Sequence, residues 1–230
     1  NKFMLLVFFL IFFFLNLNMK NLTNIFSSLK AILCLNGDLP DIDFFMEHQN
    51  AMLISADGPT NKLIGFGLMP DFIVGDLDSI DINQYKHKFK PEQIVHIVEQ
   101  ESNDFEKALM FLISKNIKDI CIVGINGGDY EHSLNNWSVF IRYSHKLNLF
   151  IYHNNRVGVA IFDSISLDTK INEIISIIPQ PVARLRTIGL NWNLNDEIIE
   201  LGIREGARNY AISTKVEIEL LSGSFILFKS

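Results

Sequence analysis

Between residues 31 and 124 the sequence alternates short apolar runs with stretches of helical spacing, and this alternation limits the possible folds more than any other feature. The apolar runs lie at 31–36, 51–56, 72–74, 94–98 and 119–124. The last of these runs, at 119–124, contains three β-branched residues, which is typical of a buried strand. Strands that alternate with helices predict a largely parallel sheet in an α/β fold.

The segments between these runs predict helices. They lie at 41–48, 59–66 and 103–115. The longest of them places Phe105, Leu109 and Leu112 at helical spacing, so that the three side chains share one face. Asn103, followed three residues later by Glu106, resembles the capping pair that begins a helix.

After residue 148 the helical spacing stops and only short strand-like runs remain. They lie at 149–152, 157–162, 173–178, 197–201, 211–214, 216–221 and 225–228, with turn residues such as Asn154-Asn155 and Ser222-Gly223 between them. A succession of short strands predicts an all-β sandwich or barrel. We therefore expect an α/β N-terminal domain with a largely parallel sheet over residues 19–148, followed by an all-β sandwich domain over residues 149–230.

The first 18 residues differ in composition from the rest of the chain. Every residue from Phe3 to Leu17 except Asn16 is apolar, but a run of this length is shorter than the roughly 20 residues that span a bilayer. No small-residue cleavage pattern of a secreted protein follows it. A membrane anchor and a signal segment are alternatives to a third interpretation, in which the segment is not native, because Met19 precedes an ordinary polar beginning. We expect residues 1–18 to lie outside the fold and membrane association to be absent.

The net charge and the two cysteines argue against several classes of protein. A formal net charge of −6 gives no basic surface of the kind that neutralises nucleic-acid phosphates, so nucleic-acid binding is not expected. Cys34 and Cys121 both lie inside apolar runs, which indicates buried free thiols in a reducing compartment rather than a disulfide or a nucleophile. The expected location is therefore the cytoplasm.

Acidic residues follow several of the predicted strands. In the segment PDFIVGDLDSI, Asp76 and Asp78 point to the same side if the chain is extended. Asp57 ends the preceding strand and Asp104 begins the helix after the next one. The carboxyl ends of parallel strands face one crevice, so four carboxylates can converge there and hold Mg²⁺ with substrate phosphates. The alternative is a simple turn in which an aspartate caps the following helix.

A glycine-rich turn, GINGGDYEH, follows the strand at 119–124 and opens a helix. Its backbone N–H groups, at Gly127 and Gly128, are available to an anion at the helix N-terminus. Asp129 and Glu131 add negative charge where a phosphate would favour positive charge. A tight turn is the alternative, in which His132 has a structural role.

Five segments, taken in order, resemble the thiamine pyrophosphokinase family. They are ADGPTNKL (56–63), PDFIVGDLDSI (70–80), QESNDFEKAL (100–109), GINGGDYEHSLNN (124–136) and TIGLNWNL (187–194). The resemblance extends over about residues 30–229, and GDxDS close to ADGxxN is its most specific part.

The resemblance implies a nucleotide-binding α/β domain over residues 19–148, a thiamine-binding β-sandwich over residues 149–230, and a homodimer with active sites between the subunits. It also implies transfer of a pyrophosphoryl group from Mg-ATP to the hydroxyl of thiamine, giving thiamine diphosphate and AMP. Such a transfer depends on positioning and on neutralising phosphate charge.

The site residues that the resemblance implies fall into three groups. The catalytic residues are Asp57, Asp76, Asp78 and Asp104, of which Asp76, Asp78 and Asp104 would hold Mg²⁺ and either Asp57 or Asp104 would accept the hydroxyl proton. The nucleotide-binding residues are Asn36, Asn61, Gln100, Gly127, Gly128 and His132. The substrate-binding residues are Asn136, Arg208 and Asn209.

The sequence departs from the family pattern in two places. The family's GGRxDH has Asp129 here in place of the arginine and Glu131 in place of the aspartate, and Arg208 stands where a serine precedes Asn209. Candidates to replace the lost positive charge are Arg208, Arg204, Lys62 and Lys107. Two rival functions are a phosphatase of the haloacid-dehalogenase type, which has a similar DxD loop, and a nucleotide-binding homologue that has lost its activity.

Overall fold

The structure is a computed structural model that describes residues 20–21, 29–78, 86–99 and 101–230. The predicted extra segment 1–18 and the predicted nucleotide-binding residue Gln100 lie outside the described residues. Within the described ranges, no helix is both long and apolar enough to cross a membrane.

The chain divides into two compact units. Residues 26–157 form the first unit, and residues 158–230 belong to the second together with the two-residue strand β1 (Lys20–Asn21). The proposed limits at 148/149, and the assignment of nucleotide and thiamine to separate domains, stay predictions.

The first unit contains parallel strands and all the α-helices of the described residues. Its strands are β2 (Ala31–Cys34), β3 (Met52–Ala56), β4 (Phe72–Gly75), β5 (Ile94–His96), β6 (Asp119–Val123) and β7 (Asn148–His153). Its helices are α1 (Ile42–Glu47), α2 (Thr60–Gly65), α3 (Asp104–Ser114) and α4 (Tyr130–Ser144), with short 3₁₀ turns at Lys86–Lys88 and Pro91–Gln93.

The sheet of the first unit has the strand order β7-β6-β2-β3-β4-β5, and each of its neighbouring pairs is parallel. This agrees with the parallel sheet that the alternating pattern predicts. The sequence grouped the run at 149–152 with the all-β region, whereas β7 pairs in parallel with β6. The sequence pattern does not reveal this pairing, because β8 (Arg156–Ile161) follows β7 directly and no helix marks β7 as part of the alternating region.

Helix α3 begins and packs as its sequence predicts. The side chain of Asn103 accepts a hydrogen bond from the backbone N–H of Glu106 at 2.9 Å, which satisfies one N–H group of the first turn. Phe105, Leu109 and Leu112 are buried on one face, and the helix packs against β3 and β4. This packing fixes the N-terminal end of α3 near the ends of those two strands.

The second unit consists of strands and loops. Its remaining strands are β8 (Arg156–Ile161), which starts at the end of the first unit, β9 (Ile165–Asp168), β10 (Ile174–Ile188), β11 (Asn195–Glu200), β12 (Gly206–Tyr210) and β13 (Lys215–Lys229). The 15-residue strands β10 and β13 pair antiparallel with each other, and β11 and β12 pair with β10. Their inward side chains, including Leu185, Ile218 and Phe225, form one buried cluster. The arrangement as a two-sheet sandwich stays a prediction.

Several strand limits predicted from the sequence were wrong in this unit. The runs at 216–221 and 225–228 are one strand, because Gly223, with φ of +84°, forms an irregularity opposite Ala183 rather than a turn. The run at 211–214 is not a strand, since only Ala211 makes an isolated bridge. The strands β9 and β12 were missed, and β12 (GARNY) lacks the β-branched residues that signal a strand.

Replacing Leu109 by Ala should destabilise the first unit, because the Leu109 side chain is fully buried on the inner face of α3. We expect the free energy of unfolding to fall by about 2–5 kcal/mol, measured by urea denaturation followed by circular dichroism. The matched control is Met110→Ala, since Met110 is the next residue on the same helix and is exposed. A similar loss in both variants would contradict the packing described for α3.

Candidate functional site

Three acidic side chains converge at the carboxyl ends of β3 and β4. The two strands are parallel neighbours with Ala56 beside Val74, so Asp57 and Asp76 both lie just beyond the ends of their strands. One carboxylate oxygen from each of Asp57, Asp76 and Asp78 lies within 4.8 Å of the others. The sequence predicted that these three carboxylates would converge together with Asp104, and the structure groups Asp57, Asp76 and Asp78.

Asp57 lies in a turn that hydroxyl groups hold in place. Its φ is +53°, in the left-handed region that costs about 1–2 kcal/mol for a residue other than glycine. The Thr60 hydroxyl donates to the Asp57 carbonyl oxygen at 2.7 Å. The same hydroxyl lies 2.7 Å from the Ser55 hydroxyl, and both residues are fully buried. These bonds fix the backbone that carries the Asp57 carboxylate, which is itself 0% exposed.

Gly75 lets the acidic residues approach each other closely. A Cβ atom at this position would lie 2.8 Å from Cβ of Asp57 and 3.0 Å from Oδ1 of Asp104. Both distances are shorter than van der Waals contact, so any side chain larger than hydrogen would displace one of the two residues. Glycine at residue 75 therefore leaves the space that Asp104, at the start of α3, occupies beside the end of β4.

Lys107 links Asp104 to Asp76. Its Nζ lies 3.2 Å from Oδ1 of Asp104 and 3.3 Å from Oδ2 of Asp76. The lysine side chain is 3% exposed, whereas the carboxylates of Asp76 and Asp104 are 21% and 30% exposed. Lys107 is therefore buried against the two carboxylates, which leaves it poorly placed to supply the positive charge lost at Asp129.

The charges in this ion pair shift each other's proton affinity. Burial raises the pKa of the Asp104 carboxyl above its usual value, and the hydrogen bond and charge of Lys107 offset part of this rise. Burial alone would lower the pKa of Lys107, but its two carboxylate partners more than offset that effect and the pKa is raised. Lys107 is therefore a charged ammonium in this environment.

Asp57, Asp76 and Asp78 have the chemistry of a magnesium site. Each offers a hard carboxylate oxygen, and Mg²⁺ prefers one or two carboxylates together with water and phosphate oxygens. A buried carboxylate such as Asp57 is costly, and a divalent cation in the group would offset that cost. Asp76 and Asp78 belong both to this group and to the predicted ligand set. Asp104, the third predicted ligand, lies outside the group and, like Asp76, is paired with Lys107.

The loops that follow β2 and β6 interlock beside the N-terminus of α4. The Asp38 N–H donates to the Asn126 carbonyl at 2.7 Å, and a Cβ atom on Gly127 would lie 2.8 Å from the Asp38 nitrogen. Gly127 and Gly128 both have positive φ, and a Cβ atom on Gly128 would meet open space. The turn therefore has a conformation that glycine favours, with its Gly128 side open.

Of the other predicted residues of the first unit, some hold the backbone in place and others are exposed. The Asn136 amide donates to the Ile125 carbonyl at 3.3 Å and so braces the turn before α4. His132 and Asn61 are exposed on α4 and α2. A Cβ atom on Gly58 would lie 2.8 Å from Cγ of Asn36, so this asparagine packs directly over the backbone next to Asp57.

Lys62, beside Asn61, contacts backbone carbonyls. Its Nζ donates to the carbonyl oxygen of Asn36 at 3.1 Å and to that of Gly37 at 2.9 Å. In this geometry the ammonium holds the loop after β2. It is thus not directed at the turn where Asp129 replaces the family arginine.

In the second unit, Asn209 fixes the loop that carries Trp192. The Asn209 amide donates to the Trp192 carbonyl at 2.8 Å, and its oxygen accepts from the Trp192 N–H at 3.2 Å and from the Tyr210 N–H at 2.9 Å. Trp192 is 63% exposed and meets the Tyr210 ring edge-on at 5.4 Å. Arg208, exposed and with φ of +57°, donates its backbone N–H to Ser176.

Trp192 is a candidate binding residue that the sequence reasoning did not single out. It lies within the segment TIGLNWNL, which carries part of the family resemblance. The sequence does not show that the Trp192 ring is exposed. A tryptophan that stays exposed while its backbone is fixed by a buried asparagine offers a flat apolar face to a ligand. The structure thus gives Asn209 a role in holding Trp192.

The fold and the acidic group define an α/β protein with a carboxylate site at the ends of its parallel strands. The family profile described as thiamin pyrophosphokinase, catalytic domain, matches residues 46–151. The thiamine pyrophosphokinase of Bacillus subtilis (strain 168) is 25% identical over 202 residues, which cover 84% of this chain and 92% of the relative. Thiamine pyrophosphokinase 1 of Oryza sativa subsp. japonica is 24% identical over 207 residues, which cover 76% of this chain and 78% of that protein.

Solved structures have the same fold. The crystal structure of Bacillus subtilis thiamine pyrophosphokinase matches with a TM-score of 0.74 at 22% identity, covering 87% of this chain and 98% of that one. The yeast enzyme matches with a TM-score of 0.78 at 17% identity, covering 92% of this chain and 90% of that one. The family profile, the curated relatives and the solved structures thus all carry the same name, and this chain is similar to thiamine pyrophosphokinases over most of its length.

Replacing Gly75 by Ala should disturb the carboxylate site, because the added methyl would collide with Asp57 and Asp104. We expect the free energy of unfolding to fall by about 1–3 kcal/mol, measured by urea denaturation in EDTA. The control is Gly65→Ala in α2, where a Cβ atom would meet nothing within 4 Å and alanine favours the helix. Equal stability of Gly75→Ala and wild type would contradict the close approach described above.

Proposed function

We propose that the protein transfers the pyrophosphoryl group of Mg-ATP to thiamine, giving thiamine diphosphate and AMP. The observation that carries the proposal is the group formed by Asp57, Asp76 and Asp78, whose oxygens lie within 4.8 Å of one another at the ends of parallel strands. This group falls within the residues that match the family's catalytic domain. Acidic residues placed there suit the binding of phosphates through a metal ion.

The transfer is a displacement at the β-phosphorus of ATP. The hydroxyl oxygen of thiamine forms a bond to this phosphorus, the bond between the β-phosphorus and the oxygen bridging to the α-phosphorus breaks, and AMP leaves with that oxygen. The hydroxyl proton passes to a base. Little covalent chemistry is asked of the protein, which has to align the two substrates and offset the phosphate charge.

Asp57, Asp76 and Asp78 would hold Mg²⁺, and Asp104 stays a proposed further ligand beside them. The ion would neutralise charge on the phosphate oxygens. For the base, Asp104 is a better candidate than Asp57, since Asp57 is 0% exposed while the Asp104 carboxylate is 30% exposed. A base has to come within hydrogen-bond reach of the hydroxyl, and burial hinders Asp57 from doing so.

The nucleotide would bind near the turn that precedes α4. The positive φ values of Gly127 and Gly128 support this proposal because they leave backbone N–H groups near a helix N-terminus, which attracts anions. We also propose Asn36, Asn61, Gln100 and His132 as nucleotide contacts. Asn136 would act by bracing the turn through its bond to Ile125.

Thiamine would bind with its flat rings against Trp192. Thiamine carries a positively charged aromatic ring, and tryptophan is the side chain that attracts cations most strongly through its face. Asn209 would act by holding the Trp192 backbone. Arg208 would border the same surface, as its exposure allows.

We also propose that the protein is a cytoplasmic homodimer. The buried free thiols of Cys34 and Cys121 suit a reducing compartment. The homodimer rests on the family resemblance, and the molar mass in solution tests it. We do not expect the protein to bind nucleic acid or to associate with membranes.

The reaction predicts AMP formation that depends on thiamine. We expect Asp76→Asn to lower this rate by at least about a hundredfold, since even the outer partners of metal ligands are worth ten- to a hundredfold. The measurement is coupled detection of AMP from Mg-ATP with and without thiamine. The control is Asp43→Asn, an identical change at an exposed position in the first turn of α1.

Other products would identify the rival functions. Formation of ADP in place of AMP would contradict pyrophosphoryl transfer. Release of phosphate from a phosphomonoester without thiamine dependence would favour a phosphatase. Nucleotide binding without any AMP would favour a homologue that has lost its activity.

Removal of the Trp192 ring should weaken thiamine binding. We expect Trp192→Ala to raise the thiamine Kd by about tenfold, which corresponds to about 1.4 kcal/mol and to the usual strength of such ring contacts. Isothermal titration calorimetry gives the Kd directly. Trp192→Phe keeps an aromatic face and should lose less affinity, so equal losses in the two variants would contradict a stacking role.

A further inference from the structure

Lys107 is the only buried basic side chain among the residues that the structure describes. Burying an ammonium group is costly unless carboxylates surround it. The cost is offset here by Asp76 and Asp104, which come from the end of β4 and the start of α3. Because lysine has three donors on a compact charge, it can bind both carboxylates at once.

The position of the Lys107 ammonium resembles that of a bridging cation. It lies 3.3 Å from an oxygen of Asp76 and 3.2 Å from an oxygen of Asp104, and it joins two elements far apart in the sequence. Asp76 also belongs to the group with Asp57 and Asp78. One aspartate is thus shared between a carboxylate group that can take a metal ion and a pair that already has a cation.

The charges in the site support this comparison. Asp57, Asp76, Asp78 and Asp104 carry four negative charges when ionised, and Lys107 returns one positive charge. One divalent ion would bring the total to −1. A second divalent ion beside Lys107 would bring it to +1 and would place two cations against the same carboxylate, where they repel each other.

We propose that Lys107 takes the place of a second metal ion between Asp76 and Asp104, so that without nucleotide the carboxylate site binds one divalent ion per chain. This rests on the proposed function, since it assumes that Asp57, Asp76 and Asp78 hold a metal ion. Lys107 is then a positioning residue, which acts through Asp76 and Asp104 and does not contact phosphate.

The test is the number of Mn²⁺ ions bound per chain by the full-length protein without nucleotide, measured by equilibrium dialysis. We expect one ion for the wild type and two for Lys107→Met, in which a shorter, uncharged side chain leaves the position of the ammonium between the two carboxylates empty. The matched control is Lys115→Met just beyond the C-terminal end of the same helix, where the ammonium lies over the Phe72 and Phe111 rings. This control should bind one ion.

Thermal melting gives a second readout. Lys107→Met should melt below the wild type in EDTA, and Mn²⁺ should raise its melting temperature by more than it raises that of the wild type. If Lys107 had only a packing role, its replacement would lower the melting temperature without changing the number of Mn²⁺ ions bound per chain. If Lys107→Met does not fold, Lys107→Gln replaces it with the same expectations.

The outcomes separate the two proposals. Two ions in the wild type, or one ion in the folded Lys107 variant, would overturn the role of Lys107 and leave the proposed function intact. No ion in the wild type would overturn the metal site itself, and with it the role of Lys107. One ion in the wild type and two in the variant support both.

Discussion

Mutual repulsion between carboxylates is the constraint on which the rest of the first unit depends. Three acidic groups lie within 4.8 Å of one another at the ends of β3 and β4, and like charges at such distances resist being held together. The chain opposes this repulsion with rigid elements. Parallel strands set the spacing, buried hydroxyls of Ser55 and Thr60 fix the turn at Asp57, and Gly75 removes the side chain that would keep Asp104 away. The site is therefore built mainly by backbone geometry.

The second unit prepares its candidate surface in a different way. No strand end fixes Trp192 directly; the amide of one buried asparagine does so through hydrogen bonds to the backbone on both sides of that residue. A buried amide that bonds in this way specifies one loop conformation, because an unmet bond would be costly. Beside Asn209, the backbone N–H of Arg208 is held by the Ser176 hydroxyl, while the Arg208 side chain is exposed.

Much of the first unit could be predicted from the sequence because its signals are local. The apolar runs, the capping pair at Asn103 and Glu106, and the aspartates after β3 and β4 each follow from residues close together in the chain. The ion pair of Lys107 could not be predicted, because it joins Asp76 to a residue 31 positions away and depends on how α3 packs. In the second unit, Ser222-Gly223 has the composition of a turn, and only pairing with β10 makes it part of a continuous strand.

The two tryptophans of the chain lie in different units, so tryptophan fluorescence can report on each unit separately. Trp137 is partly buried in α4 and donates to Asn126 at 3.0 Å, while Trp192 is 63% exposed on its loop. Fluorescence from the first would be blue-shifted relative to the second, since its indole is less hydrated. A chain with either indole replaced by phenylalanine would report on one unit at a time, so the order in which the two units lose structure can be followed without an added label.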